Sequence, residues 1–345
     1  MYERVRELAV EGSIYGYYHP AAQGVQNHIC VLPCGGIFEH PIYKWTVSDL
    51  KYYVKYHAGD QPVDSMFNGF VFKGYSVEKG RYMHPLHAAF GQQANRQDWE
   101  QWTESLFAPD TNLKALYALA DDSPLDVWVS IPYPFIDDKV FGELHGSALY
   151  FDTTERRFAA ISWWIDQFIA RWHAESYLSQ KLHFRGFLWQ RESINEYDDE
   201  LVKRTNAYIR TKGFLSLWLP YYASYGTTNW KDFNFDVAAY HTNYYGNTMY
   251  DYQWVNAVSY SASYYNTGIQ MIYGKGPIYN GTHHLDHFNL GLPEYQGYMK
   301  HSFIVYQFPN QTMKTIYSEN IVDYIRIYMF IKGLYTKIPY PNMVY

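Results

Sequence analysis

Residues 126–134 read DVWVSIPYP, residues 158–172 read FAAISWWIDQFIARW, and residues 184–189 read FRGFLW. The outer two are short apolar runs without clean alternation, as expected of parallel strands covered on both faces. The middle one carries Phe158, Ile161, Ile165, Phe168 and Trp172 at alternating spacings of three and four, a single helical stripe. Asp152 followed by Glu155 is the expected start of that helix. Strand, helix and strand in this order form a parallel crossover unit.

The alternation continues in both directions. Strands are expected at HICVLP (28–33), MFNGFVF (66–72), GFLSLWLP (213–220), FDVAAYHT (235–242), GIQMIY (268–273) and SFIVYQF (302–308), making eight in all. Helical patterns fall between them at 46–57, 98–122, 196–211 and 252–265, and after the last at 321–333. An open doubly wound sheet would place a glycine-rich phosphate loop after the first strand. That position reads LPCGGIFEHP (32–41), with no G-x-G-x-x-G and no P-loop. The expectation is therefore an α/β chain folded as one (β/α)8 TIM-type barrel over 1–345, with elaborated loops at 73–97 and 274–300.

Composition narrows the partners. The net charge of −6 comes from interleaved acids and bases with no concentrated basic stripe, so no nucleic-acid partner is expected. No apolar run approaches the roughly 20 residues that span a bilayer, so membrane insertion is not expected. Met1 leads into YERVRELAV, which lacks the apolar core of a signal peptide. That pattern suits a cytoplasmic or virion-associated protein, or an extracellular one whose numbering starts after cleavage. Cys30 and Cys34 lie too far apart along one strand to bridge each other. The 38 Tyr, 11 Trp and 20 Phe are the unusual feature. Core packing uses many of them, but tyrosine also suits a wet surface where rings stack and hydroxyls bond, as on a sugar or at a protein interface.

In a barrel the chemistry sits just past the C-terminal ends of the strands. Glu192 is the only carboxylate immediately past one of the eight runs, which makes it the candidate general acid of a glycosidase. The plainer reading is an ion pair with Arg191 or Lys203. Tyr133, Tyr221, Tyr222, His241, Asn243, Tyr244, Gln270 and Tyr273 are the strand-end candidates for sugar binding. A glycosidase needs a second carboxyl, and the seventh strand offers only Gln270; Asp137, Asp138, Asp251, Asp286 and Glu294 are loop candidates. THHLDHFN (282–289) is expected in a loop. It sets His283 and His287 four apart, but without H-E-x-x-H or paired cysteines no metal site is expected. No cofactor is expected either.

The ordered segments FNGFVF (67–72), SIPYP (130–134), GFLWQRE (186–192), LWLPYYASYG (217–226), FDVAAYHTNYY (235–245), GIQMIYG (268–274) and IRIYMFIKGLY (325–335) resemble a bacterial domain-of-unknown-function family, number 4855. The resemblance runs through about the whole chain and implies a glycoside-hydrolase-like barrel that binds or cleaves polysaccharide, with Glu192 in the acid position. Against the family's strand-seven pattern G-[IV]-E-x-E-[FW]-D, this chain has Gln270, Ile272 and Gly274 where acids are expected. Against the strand-six Q-P-N-Y it has His241, Thr242, Asn243 and Tyr244. Two functions follow. One is a glycosidase with Glu192 as acid and a replaced partner. The other is a catalytically inactive barrel kept for glycan binding or as part of a homo-oligomer or larger assembly such as a phage virion.

Overall fold

The computed structural model describes residues 16–37, 41–136 and 139–345. Its centre is a closed barrel of eight parallel strands. They are β1 (Ile29–Cys34), β2 (Gly69–Gly74), β3 (Leu125–Ile131), β4 (Leu182–Trp189), β5 (Leu215–Trp218), β6 (Val237–His241), β7 (Gly268–Ile272) and β8 (Ile304–Gln307). Each strand pairs with its neighbours in sequence, and β8 closes on β1 through Ile29↔Val305 and Cys30↔Tyr306. Every expected strand lies where its apolar run falls.

The outer layer is built from α1 (Val47–Val54), α2 (Arg96–Leu106), α3 (Asn112–Leu119), α4 (Thr154–Ala174), α5 (Asp199–Thr211), α6 (Gln253–Tyr265), α7 (His283–Leu290), α8 (Tyr298–His301), α9 (Met313–Glu319) and α10 (Ile321–Ile331). Helix α4 buries the expected stripe except at Phe158, which is only partly covered. Its cap is Thr153, whose side chain accepts from the Arg156 amide; Asp152 instead pairs with Arg156 at 2.7 Å. The start was expected one residue early because Asp and Thr both serve as caps. No helix among the described residues is long and apolar enough to cross a membrane.

Three further differences have physical causes. The first helix stops at Val54, and Lys55–Ala58 pairs with Gln61–Ser65 as an antiparallel hairpin. The 98–122 pattern divides into α2 and α3. Residues 283–290 form α7 rather than a loop. All eight of its residues are buried, so it has no polar face to give a periodic signal.

A bulge in β4 decides which side chains reach the interior. The register shifts between Phe184 and Gly186, so Phe184 and Phe187 both lie against Phe168 of α4, at 4.9 and 5.6 Å between ring centroids. Alternation from Phe187 then turns Leu188 and Gln190 inward. Only glycine fits at 186: a Cβ there would lie 1.8 Å from the Leu215 carbonyl oxygen of β5. Both cysteines are buried free thiols.

Candidate functional site

The upper end of the barrel is lined by polar side chains from six strands or their immediate extensions. Lys73 ends the inward row of β2, and its Nζ donates to Glu192 Oε1 at 2.9 Å. The lysine side chain is only 2% exposed, whereas that of Glu192 retains 20%. Gln190 Nε2 donates to the Gly74 carbonyl at 2.7 Å and to Ser130 Oγ at 2.9 Å, stitching β2, β3 and β4 together. Its Oε1 is buried without a protein partner. On the far side, Gln270 Nε2 of β7 donates to Gln307 Oε1 of β8 at 2.7 Å, and Gln270 Oε1 is likewise unpartnered. Buried polar atoms are rarely left unpaired. These two acceptors at the barrel mouth are positions for a donor from water or ligand.

Burial alone would push the Glu192 carboxyl up, but Lys73 and then His241 outweigh it and hold it below the ordinary carboxylate range. Burial opposes the charge on Lys73, yet Tyr75 and Glu192 raise it above the usual lysine range. The pair is therefore ionised on both sides. The neighbouring histidines are not. His241 is lowered by burial and Lys73 against the pull of Glu192, and burial with Lys73 brings His87 down to about 4. His241 Nδ1 accepts the Asn243 amide at 3.0 Å, which places its proton on Nε2. Tyr75 stacks on His87 at 4.8 Å, and its ring lies 5.4 Å from Lys73 Nζ.

The expected site residues divide into two sets. Around Glu192 the structure gathers His241, Asn243 and Tyr221, whose amide donates to the Glu192 carbonyl at 3.3 Å, with Gln270 across the barrel mouth. Tyr222 donates its amide to the His241 carbonyl at 3.0 Å and sets its ring against Trp254. The hydroxyls of Tyr133, Tyr244 and Tyr273 are committed elsewhere. They donate to Asp198 at 2.8 Å, to Asp286 at 2.5 Å and to Asp323 at 2.7 Å. Asp198 also binds Arg157 at 2.6 Å and Arg191 at 3.3 Å. Arg191 is thus spent there and does not pair with Glu192; Lys203 lies beside Asp199.

Two of the loop acids are hydrogen-bonded elsewhere. Asp286 accepts from Tyr244, Tyr340 and Tyr345, Asp251 accepts the Gln253 amide, and Glu294 is exposed. Asp137 and Asp138 lie outside the described residues. Among the described residues no group of three or more His, Cys, Asp or Glu side chains is arranged to hold a metal ion.

Lys73 follows the second apolar run and is not among the expected site residues. Its partner is 119 residues away, so no local spacing signals the pair. The available clue was a lysine closing an otherwise apolar strand, FVFK (70–73), where a buried cation requires an anion.

Fold and strand-end chemistry together define a (β/α)8 barrel with an ionised Lys–Glu pair at its mouth, its lysine buried. The chain belongs to the family described as Domain of unknown function (DUF4855), which matches residues 34–331. No curated protein matches it. Among solved structures it is similar to the tryptophan synthase α-subunit of Pyrococcus furiosus, with 9% identity, a TM-score of 0.40, and coverage of 89% of this chain and 97% of that one. It is also similar to a GH113 β-1,4-mannanase, with 10% identity, a TM-score of 0.39, and coverage of 72% and 79%. Likeness at that level carries no chemistry from either enzyme to this chain.

Proposed function

We propose that the barrel mouth binds a polysaccharide, with Glu192 as an ionised hydrogen-bond acceptor rather than a proton donor. The observation that carries this reading is the 2.9 Å contact with Lys73. A glycosidase acid needs its carboxyl protonated at working pH, and enzymes achieve this by raising its pKa in an apolar pocket. Lys73 does the opposite here. An ionised carboxylate surrounded by neutral His241, His87, Gln190 and Gln270 suits sugar hydroxyls, which donate to the carboxylate and the unpartnered amide oxygens. Tyr221, exposed and joined to Glu192 through its backbone amide, offers a ring for a sugar face.

Cleavage is the second reading. It is favoured by the same ionisation, which suits a nucleophile or base, and in it Glu192 works with a partner other than Asp198, Asp286 or Asp323. A glycan array read for binding, together with release of reducing ends from the bound glycans, separates the two. The binding reading expects array binding by the wild type, no release, and about tenfold or greater loss of affinity in Glu192→Gln, the size of a charge-assisted hydrogen bond. Release that disappears in Glu192→Gln would establish cleavage, and absence of binding across the array would remove sugar from the account.

A further inference from the structure

A second compartment adjoins the Lys73–Glu192 pair. It is a cleft of about 410 Å³ over the ends of β1 and β8, and Tyr75 and His87 belong to its wall. The same two rings face the ion pair: Lys73 Nζ lies 5.4 Å from the Tyr75 ring, and both Lys73 and Glu192 act on the charge of His87. Stacked at 4.8 Å and 24°, the two rings are lining shared by the two spaces, with His84 at 4.6 Å from Tyr75.

The cleft joins apolar rings and chains to neutral polar groups. Trp45, Ile42 and Phe308 supply the apolar part. Trp45 is fixed by its indole N–H donating to the Pro33 carbonyl at 3.0 Å. Gln307 and Gln311 supply amides that are themselves held: Gln307 Oε1 accepts from Gln270, and Gln311 Nε2 donates to the Tyr273 carbonyl at 2.7 Å. That leaves one amide end of each for a ligand. His87 Nδ1 is buried with no protein partner. A sugar ring in pyranose form offers what such a lining lacks, namely a C–H face for the rings and hydroxyls for the amides and imidazole.

We propose that this cleft is a second sugar subsite, continuous with the one at Glu192, so that the mouth takes two or more consecutive units of an uncharged glycan. The inference rests on the glycan reading above and adds to it a chain-length requirement and a preference for neutral units. The neutral state of His87 agrees with that preference, and the described residues that line the cleft include no lysine or arginine to meet a carboxylated sugar.

The test is titration of the whole chain with glucose, mannose and N-acetylglucosamine series of one to four units and with an oligogalacturonate series, followed by NMR or calorimetry. The wild type should gain on the order of tenfold in affinity from one unit to two in a neutral series, about one net hydrogen bond plus a ring contact. Ile42→Trp, which fills the cleft, and Ile42→Glu, which charges it, should each abolish that gain. Both should leave single-unit affinity unchanged and their melting temperatures near wild type. A gain that persists in both variants, or that appears in the galacturonate series instead, overturns the inference and leaves binding at Glu192 standing. Binding to none of the series overturns it together with the glycan reading.

Discussion

Lys73→Met exposes the energetics of the ion pair most simply, because methionine keeps the bulk of the side chain and removes its charge. Breaking a buried pair from one side costs about 3–5 kcal/mol when the remaining charge is fully desolvated. Glu192 retains 20% side-chain exposure, so water relieves part of that cost and a loss of about 2 kcal/mol at neutral pH is expected. The sign of its pH dependence is specific. In the wild type the Glu192 pKa is depressed from its ordinary value of 4.5, so its contribution is present above that value and lost as pH falls through the folded pKa. In Lys73→Met burial is left as the largest influence and the carboxyl rises. The variant is then penalised at high pH and relieved as pH falls through the raised value. Urea unfolding of both proteins at about pH 8 and about pH 5 measures this through the difference in midpoints. A deficit that shrinks on acidification supports the pairing. An equal deficit at both pH values would mean that the lysine contributes packing alone, and the ionised-pair reasoning would fail.

Other consequences are as direct. Asp198→Ala strands Arg157, 2% exposed at its side chain, beside Arg191 and should cost about 3–5 kcal/mol in chemical denaturation; a loss below about 1 kcal/mol would show that the network is dispensable. Asp286→Ala removes the common acceptor of Tyr244, Tyr340 and Tyr345, so hydrogen exchange should rise across 338–345 while the barrel strands keep their protection. Gly186→Ala should fail to yield a folded barrel or lose more than about 3 kcal/mol, because its Cβ would meet the Leu215 carbonyl at 1.8 Å. Sugar affinity should show no step at the ordinary histidine pKa of about 6.5, since His241 is lowered from it and His87 sits at about 4; a step there would assign an ordinary titrating histidine to the site.

The barrel was legible because strands buried on both faces leave unbroken apolar runs, and because helix α4 carries its stripe over about four turns. Its mouth was less so. The strand-end rule found Glu192, His241, Asn243 and Gln270, but it treats every tyrosine past a strand alike. Which tyrosines are spent on carboxylates depends on contacts such as Tyr133 with Asp198 and Tyr273 with Asp323, separated by 65 and 50 residues. Part of the tyrosine surplus answers to this same pairing, since Tyr208 and Tyr328 likewise donate to Asp166 and Asp64. Helix α7 escaped notice because His283, His284, Asp286 and Asn289 are buried polar residues, which hydropathy patterns read as loop.

What Glu192 does depends on whether it carries a proton. The direct measurement is a carbon-13 NMR titration of its side-chain carboxyl, assigned by the signal missing from Glu192→Gln. A midpoint below the ordinary 4.5 is the predicted result. A midpoint near about 6, the range of a glycosidase acid, would contradict it and return Glu192 to the role of proton donor.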